Sequence, residues 1–158
     1  MREFAVVEFV VPGKPIGKGR PRAVTRKRRD KSTGQLGTYT AHITPARTEA
    51  YEESIARAGE IAMAGRDLIP HPVMVELQIL LPIPQSKSKK WKAQAVAGQV
   101  FPTTKPDMDN VIKAIYDGLN GVVWRDDVQV VDAIVRKRYA ETPCVRVRIV
   151  PLMTEVAA

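Results

Sequence analysis

Six of the eight aspartates in the chain fall between Asp107 and Asp132: Asp107, Asp109, Asp117, Asp126, Asp127 and Asp132. Only Lys113 and Arg125 offset them in that stretch. Aspartate is the shortest carboxylate side chain, and short carboxylates hold hard divalent cations well. Which of these acids can meet depends on the elements that carry them. Two positions along a helix differ by about 200° of rotation. Asp107 follows Pro106 and so falls at or just before an N-cap, which lets Asp107 and Asp109 turn to one side of the helix start. Lys113, four residues after Asp109, shares its face. Asp117 lies about 12 Å along the axis from Asp109, too far to share one ion at roughly 2.1 Å per ligand. It is expected to pair with Lys113 or face solvent. Asp126 and Asp127 are expected to open the next strand, where adjacent side chains point to opposite faces, so one of the two reaches the site. An all-oxygen donor set with few protein ligands suits magnesium, with manganese as its substitute. The same acids also fit plain helix capping and the macrodipole.

The cations are clustered too. Lys14–Lys31 holds nine basic residues and one acid, Asp30, while the other 140 residues carry 16 basic and 16 acidic groups. The whole excess of +8 therefore sits in one segment, as a polyanionic partner would require. That segment has almost no apolar residues, which argues against a membrane surface. A second basic run, Lys87, Lys89, Lys90 and Lys92, surrounds Trp91. An acidic, metal-binding patch inside a basic surface is what phosphodiester hydrolysis needs: a cation to polarise the phosphate, and lysines and arginines to hold the backbone.

The elements that must position these groups follow from patterning. Glu3–Val11 reads as a strand. Lys14–Leu36, broken by Pro15, Gly17, Gly19, Pro21 and Gly34, reads as a basic loop. Thr44-Pro45 signals a helix start, with Thr44 as N-cap, running to about Ala64 with Tyr51, Ile55, Ala58 and Ala62 as its apolar stripe. Val73–Leu81 alternates strictly and is the clearest strand. A short helix, Lys89–Ala97, is expected after Ser88. Asp107–Leu119 is an amphipathic helix, with Met108, Val111, Ile112, Ile115 and Leu119 on one face. Val128–Tyr139 and Cys144–Val150 read as a hairpin. No stretch approaches the roughly 20 apolar residues of a membrane span. Met1–Val11 lacks the basic start and cleavage site of a signal peptide. One cysteine, Cys144, excludes an internal disulfide framework and any Cys-based zinc cluster, and suits a reducing cytoplasm.

Three motifs then fall in register. Lys105-Pro-Asp-Met-Asp-Asn-Val-Ile-Lys113, Asp117-Gly-Leu-Asn and Trp124-Arg-Asp-Asp-Val-Gln-Val130 resemble the signature of the RusA-type Holliday junction resolvases. Pro12-Gly-Lys-Pro-Ile-Gly-Lys-Gly-Arg-Pro-Arg22 resembles that family's N-terminal basic motif, and Pro82-Ile-Pro-Gln-Ser-Lys-Ser-Lys-Lys90 its middle segment. The resemblance implies a magnesium-dependent, homodimeric endonuclease that nicks four-way DNA junctions symmetrically, of the kind frequent in phages and prophages. It assigns catalysis to Asp107, Asp109, Asp127 and Lys113, and metal binding to the three aspartates, with Asp126 as a lesser candidate. Lys14, Lys18, Arg20, Arg22, Lys87, Lys89 and Lys90 are expected to contact DNA. Arg26–Lys31 looks longer than the family's usual loop. A C2 dimer matches the approximate two-fold symmetry of a four-way junction. The expected architecture is α+β: a single nuclease domain over residues 1–152, with a frayed tail at 153–158. It is a mixed sheet of about four strands with two main helices packed on it, plus basic loops. No small-molecule cofactor is expected. Two other readings fit the same residues: a non-catalytic module for branched DNA or RNA, and a metal-dependent nuclease for other branched or single-stranded DNA.

The remaining candidates read as structural. His42 and His71 are isolated. Trp91 is expected to anchor its short helix rather than stack on a base, and Trp124 to pack under the Asp126-Asp127 turn. Phe101 is a packing residue or a wedge at a junction centre.

Overall fold

The computed structural model describes residues 5–153. Glu3 and Phe4 at the start of the expected first strand, and all but Met153 of the expected tail, lie outside them. The described chain forms one α+β domain. Its elements in order are β1 (Val7–Pro12), β2 (Arg22–Arg29), β3 (Leu36–Ile43), α1 (Ala46–Met63), β4 (Val73–Pro82), α2 (Lys89–Val96), α3 (Met108–Leu119), β5 (Val130–Ala140) and β6 (Cys144–Pro151). A 3-10 turn, Asp127–Gln129, precedes β5. No helix is long and apolar enough to cross a membrane.

Strands β1, β6, β4 and β5 form one mixed sheet in that order. β4 pairs parallel to β5 and antiparallel to β6, and β6 pairs antiparallel to β1. In β4 the alternation read from the sequence is the burial pattern: Val73, Val75, Leu77, Ile79 and Leu81 are all buried. They join Val7, Val11, Val145, Val147 and Ile149 on one face of the sheet, under α1 and α3. Glu8, Val10, Gln78, Arg146 and Arg136 are exposed on the other. α3 contributes Val111, Ala114, Ile115 and Leu119, and α1 contributes Tyr51, Ile55 and Met63. Each aliphatic side chain fully withdrawn from water contributes about 1.5–3 kcal/mol before entropy is counted. The two helices meet at glycines. A Cβ on Gly118 would lie 2.8 Å from Ile55 Cγ2, and one on Gly59 would lie 2.8 Å from Leu119 Cδ2.

Three expectations are corrected. First, β5 and β6 are not a hairpin, because β4 lies between them; residues 141–143 pass over the end of β4, where Pro82 pairs with Ala140. Val128 and Gln129 belong to the 3-10 turn rather than to the strand. Second, the basic segment is not all loop. Arg22–Arg29 pairs in continuous register with Leu36–Ile43, from Arg22 opposite Ile43 to Arg29 opposite Leu36. Nearly every residue of this hairpin is exposed. With both faces wet, no apolar alternation marks it as strand. Its turn is closed by Asp30, whose Oδ1 accepts from the Ser32 N–H (2.7 Å), the Ser32 hydroxyl (2.5 Å) and the Thr33 N–H (3.1 Å). Third, Thr44 does not cap α1. Pro45 occupies the cap position with extended ψ, and its carbonyl accepts from Thr48 and Glu49. α2 follows its reading closely: the Ser88 hydroxyl accepts from Trp91 N–H.

Candidate active site at the start of helix α3

Asp107 is the N-cap residue of α3, with extended ψ of 143°, and Asp109 lies in the first turn. The Asp107 carboxylate does not cap the helix; Lys105 Nζ holds it at 2.7 Å. Asp109 is exposed and makes no side-chain hydrogen bond or ion pair among the described residues. Asp126 and Asp127 stand at the 3-10 turn, not in a strand. Asp126 is the cap: its Oδ1 accepts from Val128 N–H at 3.1 Å, while the Gln129 side chain accepts from the backbone N–H groups of Arg125 (2.9 Å) and Asp126 (3.3 Å). Gln129 is further tied to the Ile69 and His71 carbonyls, at 2.8 and 3.1 Å. This braced turn packs against α3.

Asp127 is the member of the pair that feels the helix. Partial burial raises its carboxyl above the usual range, a hydrogen bond with Asp126 adds to the rise, and the negative charges of Asp126 and Asp117 push the same way. Lys113 alone opposes them. Tyr116 is also raised, by burial and then by the Asp127 charge. Asp127, Lys113, Tyr116 and Asp117 therefore share one local field at the start of the 3-10 turn.

Asp117 pairs with Lys113 at 3.1 Å, as its spacing predicts. It also pairs with Lys18, 99 residues away in sequence, and Lys18 in turn meets Glu52 at 3.1 Å. Burial alone would lower the Lys18 pKa, but hydrogen bonds to Asp117 and Glu52 outweigh it and raise the value. Burial alone would raise Asp117, and its bonds to Lys18 and Lys113 bring it below the usual range. Lys18, expected as a DNA contact, is thus an internal tie between the N-terminal segment, α1 and α3.

The N-terminal segment is held against α3 in two further ways. Lys18 N–H donates to the Asn110 carbonyl at 2.9 Å. A Cβ on Gly17 would lie 3.0 Å from Asn110 Cβ and 3.3 Å from Pro106 Cβ, so the segment's close approach needs glycine there. The result is a cleft of about 310 Å³ between the segment and the helix start, lined in part by Lys14, Lys18, Arg47, Lys105, Asp107 and Asn110. Arg47 and Lys105 were not among the candidate residues. Lys105 could have been found from its place beside Pro106-Asp107; nothing in the sequence ties Arg47 to this cleft.

Lys14, Arg20, Lys87, Lys89 and Lys90 are exposed, as is Arg22 at the root of the hairpin. Trp91 packs edge-on to Tyr139 at 5.4 Å with Lys87 over its ring, which is the expected anchor. Trp124 is fully buried, donates to Asn120 Oδ1 at 2.8 Å and stacks edge-on to Tyr116. Phe101 is 56% exposed, with the Arg138 guanidinium over its ring. Cys144 is buried and free. Among the described residues no group of three acidic, histidine or cysteine side chains stands close enough to hold a metal ion. The acids are brought to one region but not into one shell. Asp107 is committed to Lys105, Asp126 to the turn and Asp117 to two lysines.

The sequence profile of the endodeoxyribonuclease RusA family matches residues 12–150. The chain belongs to the RusA endodeoxyribonuclease family. That match spans the basic N-terminal segment, α3 and the Asp126-Asp127 turn. The chain is also 35% identical over 146 residues to the protein named "Uncharacterized protein YqaN" of Bacillus subtilis (strain 168), covering 90% of this chain and 94% of that one.

Proposed function

We propose that this RusA-family protein is a homodimeric, magnesium-dependent endonuclease that resolves four-way DNA junctions by paired phosphodiester cuts. The observation that carries the reading is that α3 opens on two of the family-motif acids while the third, Asp127, stands in a turn packed against the same helix. Asp107 and Asp109 open α3, and Asp127 lies against the same helix within the field of Lys113. Their donor chemistry fits a hard divalent cation, since all are carboxylates. The local excess of negative charge that raises Asp127 is of the sign such a cation offsets. Asp107, Asp109 and Asp127 would hold it, and Asp107 must leave Lys105 to do so. Bound there, the cation would polarise the scissile phosphodiester.

The chain's own residues supply the rest. Lys113 has no lone pair to offer a metal. Its ammonium would hold a non-bridging phosphate oxygen and offset charge as it develops in the transition state. Lys14, Arg20 and Arg22 on one side, and Lys87, Lys89 and Lys90 on another, take phosphates of the DNA arms. Asp117 and Lys18 position Lys113 and the N-terminal segment. Two copies related by a two-fold axis provide the two matched cuts that resolution needs.

The test is direct. Purified protein is incubated with a synthetic immobile junction, with and without magnesium, and nicks are mapped on all four strands. Symmetric nicks in opposing strands that require the metal are expected. Binding with no nicks at any magnesium concentration would leave a non-catalytic branched-DNA module. Nicks on flaps or single strands but not on junctions would assign a different substrate.

A further inference from the structure

Apart from Arg22 at its root, the β2–β3 hairpin is not used by the candidate site. It carries six cations, Arg22, Arg26, Lys27, Arg28, Arg29 and Lys31, against the single acid Asp30. Among the described residues none of the six is in an ion pair, and Asp30 is spent on closing the turn, where hydrogen bonds from Ser32 and Thr33 lower its pKa. The charge is thus uncompensated by any ion pair among the described residues. The hairpin also buries almost nothing: every residue of β2 and all but one of β3 are exposed, and the strands pair with each other rather than with the main sheet. A two-stranded ribbon with no core to fill is an expensive way to make a solubilising loop.

The two strands are chemically unlike. All the cations lie on β2 and in the turn. β3 has none: opposite the cations of β2 it presents Ile43 to Arg22, Tyr39 to Arg26, Thr38 to Lys27, Gly37 to Arg28 and Leu36 to Arg29. The cations alternate between the two faces of the ribbon, Arg26 and Arg28 on one and Lys27 and Arg29 on the other. A ribbon charged on both faces along one edge suits a groove walled by phosphates rather than a flat anionic surface. Its length of eight residues is about 26 Å, some three quarters of one duplex turn of about 34 Å. A two-stranded ribbon fits the B-DNA major groove, about 12 Å wide.

We propose that the β2–β3 hairpin is an outlying grip that lies along a duplex DNA arm, away from the cut site, with Arg26–Arg29 meeting backbone phosphates. It rests on the nuclease reading only for the kind of DNA presented. Its contacts go to phosphates and so are indifferent to sequence.

The experiment measures binding without a divalent cation, so it does not depend on whether the protein cuts. Wild type and a variant carrying Arg26→Gln, Lys27→Gln, Arg28→Gln and Arg29→Gln are titrated by fluorescence anisotropy across a salt series. Two four-way junctions are used, one with arms of half a duplex turn and one with arms of two turns, at about 10 base pairs per turn. On long arms the variant is expected to lose affinity by on the order of 10-fold or more, and its log–log salt slope is expected to fall by roughly 2 to 4. On short arms both proteins should bind alike. The charge-preserving variant Arg26→Lys, Arg28→Lys, Arg29→Lys should keep the wild-type slope. An unchanged slope on long arms would overturn the proposal. Equal losses on both junctions would too, because the hairpin would then act at the junction centre. Tighter hairpin-dependent binding to duplex RNA than to duplex DNA would overturn the choice of ligand. If no nicks appear in the junction assay above, the nuclease reading fails while this binding result stands.

Discussion

At the scale of single residues, the acids at the start of α3 differ in what they are already doing, and substitutions should separate them. Among the described residues Asp109 has no side-chain partner, which leaves it the freest of these acids to serve a ligand. Asp109→Asn keeps size and removes charge, so cleavage should be abolished while junction affinity, carried by the basic segments, survives. Nicking at the wild-type rate in magnesium would take Asp109 out of the site. Lys113 is 58% exposed and tied to Asp117. As an electrostatic catalyst its loss in Lys113→Ala should slow single-turnover cleavage by roughly 10²-fold or more. As an ordinary helix pair it contributes only about 0.3–0.5 kcal/mol, and the rate would change by no more than a few-fold. Asp117 makes a different prediction, about stability. Its pKa is lowered in the fold by Lys18 and Lys113 against the pull of burial. A depressed carboxylate stabilises above its unfolded pKa and ceases to as pH falls through the folded one. The Tm gap between wild type and Asp117→Asn should therefore be full at neutral pH and close in acid, at and below the usual carboxylate range. A gap that widens in acid would contradict the ion-pair assignment.

At the scale of elements, the site depends on how closely α1 and α3 approach. Lys18 bridges Glu52 on α1 and Asp117 on α3, and Gly118 sits next to Asp117 where the helices touch. An exposed helical glycine replaced by alanine would gain about 1 kcal/mol from helix propensity. At Gly118 the added Cβ would fall 2.9 Å from Ile55 Cβ and 3.1 Å from the Glu52 carbonyl oxygen, so the helices must separate. Overpacking of this kind costs roughly 1–3 kcal/mol and is expected to win. Gly118→Ala should lower Tm by a few degrees, about 2–4 °C per kcal/mol at this chain length, and should reduce cleavage by shifting Asp117 and Lys113. A higher Tm would mean that the helices yield without cost. The 3-10 turn is the opposite kind of element: it has little core but is braced by Gln129, which links Arg125, Asp126 and the Ile69 and His71 carbonyls.

At the scale of the molecule, one chain carries one set of acids, and resolution requires two coordinated cuts. A two-fold dimer should sediment at twice 17.5 kDa. In a mixed population of wild type and Asp109→Asn, heterodimers should nick one strand and leave the opposing strand intact. Nicked junctions should then accumulate at the expense of resolved duplexes. Loss of nicking in strict proportion to wild-type dimers alone would indicate that both sites must be intact before either cuts. A monomer in solution that still resolves junctions would remove the dimer from the mechanism.

Where burial falls on one face of an element, its periodicity was readable from the chain alone. β4 alternates because one side of it meets the helices, and α3 repeats every three to four residues because one stripe of it meets the sheet. The relation among three of the candidate site residues was readable for a like reason: Asp107, Asp109 and Lys113 lie within two turns of one helix, so their spacing is set locally. The hairpin was hidden because both of its faces are in water, and a strand with no buried face leaves no apolar signature. The pairing of β5 and β6 was misread because nearness in sequence favours a hairpin, whereas insertion of β4 between them buries one continuous face across four strands. The tie from Lys18 to Asp117 spans 99 residues. Local spacing places Lys113 beside Asp117, but only the packing of the N-terminal segment and α1 against α3 brings the second lysine there. The same holds for Asp127: its identity was legible in a motif, but its place in the field of Lys113 is decided by a 3-10 turn folded back onto the helix.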